Sequence, residues 1–139
     1  DLVNPRARKP RVLHAVLGGI FAEGIDLPPG ALHTVVVVGP ALPQVQLQRD
    51  LFRGFCEERF DAGFTYAYLV PGMSRVVQAA GRVVRRAADK GVVVLVGRRF
   101  VRGDYAAFFP EDWHVRRARD PAAWVRDFWS GQGGLEFDT

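Results

Sequence analysis

The chain has 139 residues, of which 48% are hydrophobic, which fits one globular domain and excludes a disordered chain. Its 19 lysine and arginine residues against 15 acidic residues give a net charge of +4, which permits a polyanionic partner without requiring one. No apolar run approaches the roughly 20 residues that cross a bilayer, and no signal peptide is recognisable. We therefore expect an intracellular, cytoplasmic protein that is not bound to a membrane. Because the chain does not start with methionine, we also expect a piece of a longer protein.

Residue types that bind metals or form disulfides are few and scattered. Cys56 is the single cysteine, which excludes an internal disulfide framework, and it is interpreted as a small packing residue. His14, His33 and His114 have no metal-ligand spacing. The sequence therefore predicts no metal site and no iron–sulfur ligands in this chain.

The first half of the chain is predicted to contain two strands and a helix. Residues 1–10 are expected to be a linker or disordered, and residues 11–17 (RVLHAVL) are predicted to form a strand. A glycine-rich loop follows and ends at Pro-Pro-Gly. Residues 34–39 (TVVVVG) predict a strand covered on both faces, as in a parallel sheet. Residues 44–59 have apolar side chains at helical spacing and predict an amphipathic helix. Its phenylalanines, with Phe60 and Phe64, are expected in the core, and stacking on nucleic-acid bases is the alternative.

The second half of the chain predicts further helices and strands. Residues 60–69 are left open between a strand and an irregular segment, and Pro71 with Gly72 is predicted to break the chain. A helix capped by Ser74 is then expected to run to about Asp89. Residues 92–96 are predicted to form a strand, residues 104–109 a helical turn and residues 113–117 an edge strand. Residues 121–131 are predicted to form a helix that is capped by Asp120, and residues 132–139 a flexible tail. This alternation is typical of an open α/β sheet with parallel central strands.

One polar stretch stands out within the predicted helix. Gln78, Arg82 and Arg85 are spaced i, i+4 and i+7, so they would share one helix face. Two guanidiniums a turn apart suit an anionic group with several oxygens, such as a nucleotide phosphate. A solvated basic face is the alternative that this stretch alone leaves open.

Three segments, in this order, resemble superfamily 2 DNA helicases of the XPD–DinG group. Residues 18–27 (GGIFAEGIDL) resemble motif V, and residues 78–85 (QAAGRVVR) match the Q-x-x-G-R-x-x-R of motif VI. Residues 89–100 (DKGVVVLVGRRF) resemble the strand that follows motif VI, although Gly97 stands where the family usually has aspartate. The resemblance implies a RecA-like three-layer fold with a largely parallel central sheet flanked by helices. Residues 11–131 would be part of the second, C-terminal helicase domain.

The resemblance also implies roles for individual residues around an ATP site between two RecA-like domains. Arg82 and Arg85 match the arginine fingers, and Gln78 would orient them or the nucleotide. The implied nucleotide-binding residues are Glu23, Gly24, Asp26 and Gly81, and the implied DNA contacts are Gly19 and Phe21. Capping of the local turn is the alternative role for the two carboxylates. ATP and Mg²⁺ would be held mainly by the first domain, whose P-loop and iron–sulfur cysteines this sequence lacks.

The implied function is part of an ATP-dependent DNA helicase. By resemblance, its partners are single-stranded DNA, along which it would move 5′ to 3′, and the N-terminal RecA-like domain of the same protein. The chain alone would be inactive, because it lacks the phosphate-binding half. The alternative is a degenerate helicase-like module that binds DNA or a protein without catalysis.

Overall fold

A computed structural model describes residues 11–19, 31–84 and 89–131. Two strands and several helical segments follow one another in these ranges. In chain order they are β1 (Thr34–Val38), α1 (Leu47–Phe60), a π-helix (Thr65–Leu69), α2 (Val70–Ala80), β2 (Val92–Val96), a 3₁₀ turn (Arg98–Val101), α3 (Gly103–Ala106) and α4 (Pro121–Ser130). The mixed α/β class expected from the sequence is confirmed.

The sheet pairs β1 with β2 in parallel, from Thr34 opposite Val92 to Val38 opposite Val96. A parallel pair needs a crossover connection, and here α1, the π-helix and α2 form it. Both valine-rich strands and their parallel arrangement were expected from the unalternated apolar runs. Their β-branched composition agrees with the strand conformation that both runs adopt.

The core lies between one face of this sheet and α2. It is formed by six buried side chains: Val37, Leu69, Met73, Val76, Phe100 and Tyr105. Alternate residues of β1 point the other way, and Val36 and Val38 are 59% and 76% exposed. The prediction that β1 is covered on both faces is therefore wrong for the described part of the chain. The alternation of strand side chains allows one layer of helices to bury only every second valine.

The predicted break at Pro71 and Gly72 is wrong, because both residues lie within α2. Proline has no backbone N–H, so the carbonyl four residues earlier, that of Ala67, loses its helical partner. The Arg49 guanidinium of α1 donates a 2.7 Å hydrogen bond to this oxygen instead. Residues 60–69, for which a strand or an irregular segment was expected, include the π-helix that leads directly into α2. The proline is thus tolerated because a distant side chain replaces the missing bond.

Helix α2 is shorter than predicted and ends at Ala80. Gly81 donates to the Val77 carbonyl at 2.8 Å, and Val83 donates to the Ala80 carbonyl at 3.0 Å, so the chain tightens into a turn. Val83 is buried and contacts Gly91, where a methyl group would overlap its Cγ1 atom. Packing of Val83 beside the start of β2 therefore competes with continuation of the helix. Ser74, the expected cap, is an exposed residue inside α2.

Two predicted strands are not formed. Residues 11–17 have no regular structure, and most of their side chains are exposed. Residues 113–117 are also irregular. A strand needs a neighbouring backbone to bond, and in the described ranges β1 and β2 pair with each other alone. The β-prone composition of both segments is therefore insufficient.

The expected helix α4 and the helical turn at α3 are confirmed. Asp120 caps α4 as predicted, because its Oδ1 accepts a 2.9 Å hydrogen bond from the Ala123 N–H. The expected aromatic core of α1 is wrong, since Phe52, Phe55, Phe60 and Phe64 are each about half exposed. In the described ranges, the helices include none long and apolar enough to cross a membrane.

Candidate functional site

The described residues include four of the nine site residues expected from the sequence. These four are Gly19, Gln78, Gly81 and Arg82. The other five lie outside the described residues: Phe21, Glu23, Gly24, Asp26 and Arg85.

The expected polar stripe is divided between a helix and a turn. Gln78 is exposed in the last turn of α2, and Gly81 is the C-cap. Arg82 follows in the turn, where its N–H donates to the Ala79 carbonyl at 3.3 Å. The prediction that Gln78 and Arg82 share one face of a continuous helix is therefore wrong, because the helix ends between them. Both residues remain near the carboxyl end of α2, Gln78 in its last turn and Arg82 just after it.

The Arg82 turn is packed between two buried residues. Ala80 and Val83, on either side of the arginine, are both buried. The turn lies toward the amino ends of the strands, because Val83 contacts Gly91 and the Val92 N–H donates to the His33 carbonyl at 3.0 Å. Arg82 itself is only half-buried. This arrangement presents a guanidinium from a well-anchored backbone.

The start of the motif V-like segment lies beside α2. Gly18 has φ +86°, and a methyl group at this position would lie 3.2 Å from Cζ of Arg75. Leu17, just before it, packs against the core. Gly18, at the start of the glycine-rich segment, thus lies against Arg75 of α2. Arg75 was missed in the sequence, although its i, i+3 spacing to Gln78 places both on one side of α2.

Two glycines mark the carboxyl ends of the strands. Gly39, with φ +73°, donates to the Val96 carbonyl at 2.8 Å, and a methyl group at Gly97 would lie 3.5 Å from Cα of Gly39. Gly97 has φ +147°, a conformation that other residues rarely adopt. The departure from the aspartate that the family usually has at this position therefore has a structural reason.

Two hydrogen-bonded pairs of ionisable side chains lie elsewhere in the described chain. The Arg102 guanidinium donates to Asp104 at 2.8 Å and 3.0 Å, and these bonds hold the pKa of the Asp104 carboxyl below its usual value. Burial, followed by a 3.0 Å hydrogen bond to Asp50, raises the pKa of Tyr68. In the described part of the chain there is no group of three or more metal-ligating side chains.

Comparisons with known proteins show the family to which the chain belongs. The model of the helicase C-terminal domain family matches residues 4–116. The chain is also 27% identical over 110 residues to the 3′-5′ exonuclease DinG of Staphylococcus saprophyticus subsp. saprophyticus. That alignment covers 79% of this chain and 12% of the relative, so the chain spans a small part of the relative's length. The resemblance to the XPD–DinG group is confirmed, and the chain belongs to the helicase C-terminal domain family.

Proposed function

We propose that this chain is the C-terminal RecA-like region of an ATP-dependent DNA helicase and that it supplies arginine fingers to an ATP site between two domains. The observation that carries the proposal is Arg82, which stands on an anchored turn in a segment that matches motif VI. Arg85 is proposed as the second finger and Gln78 as the residue that orients them.

The proposed role of Arg82 is electrostatic stabilisation of the phosphoryl group that is transferred. When a phosphoryl group is transferred, negative charge spreads over its oxygens, and an arginine finger that stabilises this charge is worth about 10³ to 10⁵ in rate. Such stabilisation is largest when the donor is already in place. Ala80 and Val83, which flank Arg82, are buried, so the turn that carries the arginine is packed against the rest of the chain.

The hydrogen-bond donors of Arg82 and Gln78 suit the phosphates of ATP better than they suit Mg²⁺. Arg82 and Gln78 bring N–H donors, which suit phosphate oxygens. Mg²⁺ prefers carboxylate oxygens, and the described residues include no group of three or more His, Cys, Asp or Glu side chains that could hold a metal ion. We therefore assign Mg²⁺ and most of the nucleotide contacts to a first RecA-like domain of the same protein. Glu23, Gly24, Asp26 and Gly81 remain proposed nucleotide contacts.

Single-stranded DNA is the proposed polymer substrate, with 5′ to 3′ movement as in the family. Gly19 and Phe21 are the proposed contacts, since backbone amides suit phosphates and aromatic rings stack on bases. The proposed setting is intracellular, and cytoplasmic.

The test compares the complete protein that contains this chain with the 139-residue chain alone. Phosphate release from ATP is measured with and without single-stranded DNA. We expect DNA-stimulated turnover from the complete protein and none from the chain alone. No turnover by the complete protein would overturn the helicase assignment and favour a non-enzymatic binding module. Turnover by the chain alone that survives Arg82→Ala would overturn the two-domain site.

A further inference from the structure

The turn at Gly18 and Gly19, here named the Gly18 turn, has a geometry that other residues would disturb. The Gly19 N–H donates to the Val16 carbonyl at 2.9 Å, and Gly18 has φ +86°. A methyl group at Gly18 would lie 3.2 Å from Cζ, 3.3 Å from Nε and 3.4 Å from Nη1 of Arg75. The first two distances are tighter than ordinary van der Waals contacts, and the third is at their lower limit. The guanidinium therefore lies directly against the turn.

Arg75 is held firmly at its helical end. Its neighbours Met73 and Val76 are fully buried in the core, and Arg75 itself is half-buried. A guanidinium is planar and more weakly hydrated than an ammonium, so it packs well against a flat peptide surface. A glycine on one side and an anchored arginine on the other thus form a close contact between two segments 57 residues apart in the chain.

The two segments continue into the two halves of the proposed site. After Gly19 the sequence runs on through the motif V-like residues. After Arg75, Gln78 lies one helical turn further along α2, and Arg82 follows the end of that helix. Arg75 is thus the described side chain that joins the start of one motif to the helix that carries the other.

We infer that Arg75 is a positioning residue, whose guanidinium holds the Gly18 turn against α2 and so transmits DNA binding to ATP turnover. This inference rests on the proposed function. Arg75 acts through the turn and through α2, and it has no assigned contact with ATP or DNA. Its loss should therefore uncouple the two events without abolishing either.

The experiment uses the complete protein with Arg75→Ala, Arg75→Lys and, as a matched control on an exposed helix face, Arg126→Ala. Basal turnover, the affinity for ATP and the affinity for single-stranded DNA are measured beside the stimulation of turnover by DNA. We expect Arg75→Ala to reduce the stimulation by about 5- to 150-fold, the usual range for coupling between sites. Its basal turnover and ATP affinity should stay within about twofold of the wild type, which is below that range. Arg75→Lys should recover part of the stimulation, and Arg126→Ala should retain all of it.

A double-mutant cycle with Gly18→Ala tests the contact itself. Gly18→Ala should also reduce the stimulation, because the methyl group meets the guanidinium and the positive φ strains the new residue. In the Arg75→Ala background the steric part disappears, so the combined loss should be smaller than the product of the single losses. Equal proportional losses of basal and stimulated turnover in Arg75→Ala, or independent effects in the cycle, would overturn the inference.

Failure of the proposed function would give a different result from failure of the role inferred for Arg75. A wild-type complete protein that binds DNA but shows no ATP turnover would overturn the helicase assignment, and the coupling role of Arg75 with it. A wild type stimulated by DNA, with an Arg75→Ala variant stimulated equally, would overturn the role of Arg75 alone.

Discussion

The two faces of the β1–β2 sheet are built from the same residue type and lie in opposite environments. Val37 is 2% exposed, whereas its neighbour Val38 is 76% exposed. On the first face, α2 covers the sheet with Met73 and Val76. On the second face, Val36 and Val96 are exposed together with Val38. An apolar strand run therefore marks both faces for burial, but burial occurs only where a packing layer is present.

The helices show the same difference. Both α2 and α4 begin with proline in the first turn, yet α2 buries four residues and α4 buries none in the described chain. Trp129 of α4 reaches the amino end of the exposed sheet face, where its indole N–H donates to Thr34 Oγ1 at 3.2 Å. Trp124 and Trp129 are nevertheless 46% and 40% exposed.

The largest expected effect on the free energy of unfolding comes from a substitution in the core, on the sheet face that α2 covers. Met73→Ala removes a fully buried side chain and should lower the free energy of unfolding of the chain by about 2 to 5 kcal/mol. Ser74→Ala is the matched control, because the neighbouring serine is exposed in the same helix. It should change the free energy by less than about 0.5 kcal/mol. Chemical denaturation measures both, and equal effects would contradict the assignment of the core.

The next prediction compares the two sheet faces directly. Val37→Ala should cost about 2 kcal/mol, since it removes two buried carbons worth about 0.8 kcal/mol each and leaves a small cavity. Val38→Ala should cost less than about 0.5 kcal/mol in the chain alone. The same two variants in the complete protein sharpen the comparison. A larger cost of Val38→Ala there would show that the exposed face becomes covered.

The last prediction on stability concerns the hydrogen bond between α1 and the π-helix. Tyr68→Phe removes the hydroxyl that donates to Asp50 at 3.0 Å and should destabilise the fold at neutral pH, because a hydrogen bond between two elements is lost. Because the folded-state pKa of Tyr68 is raised above 10.0, its stabilising effect is fully present below pH 10.0 and is lost as the pH rises through the folded-state value.

Denaturation of wild type and Tyr68→Phe between pH 7 and pH 11 checks this sign. The difference between them should shrink as the solution becomes alkaline. Tyr66→Phe is the control, because Tyr66 is exposed in the same π-helix, and it should show little change. A difference that grows above pH 10.0 would contradict the account.

The fold could be predicted from the sequence where a local pattern was sufficient. The valine runs specified β1 and β2, and Asp120 followed by proline specified the start of α4. Pro71 was misinterpreted as a break, because its accommodation depends on Arg49, a side chain 22 residues earlier. The end of α2 depends on the packing of Val83 against Gly91, which no local propensity records.

The site was predictable to the same extent. The spacing of Gln78 and Arg82 identified a polar surface, and the motif resemblance gave it a family. The division of that surface between helix and turn followed from tertiary packing, so helical periodicity missed it. The contact between Arg75 and Gly18 joins residues far apart in the chain, and only the α2 spacing of Arg75 to Gln78 offered a signal.

Replacement of Arg82 in the complete protein tests the central claim most directly. The kcat for ATP hydrolysis and the affinity for ATP are measured for wild type, Arg82→Ala and the control Arg126→Ala. We predict that Arg82→Ala lowers kcat by about 10³- to 10⁵-fold, while ATP affinity changes far less, because the finger acts on charge that develops in the transition state. Unchanged turnover in Arg82→Ala would contradict the assignment of Arg82 as an arginine finger.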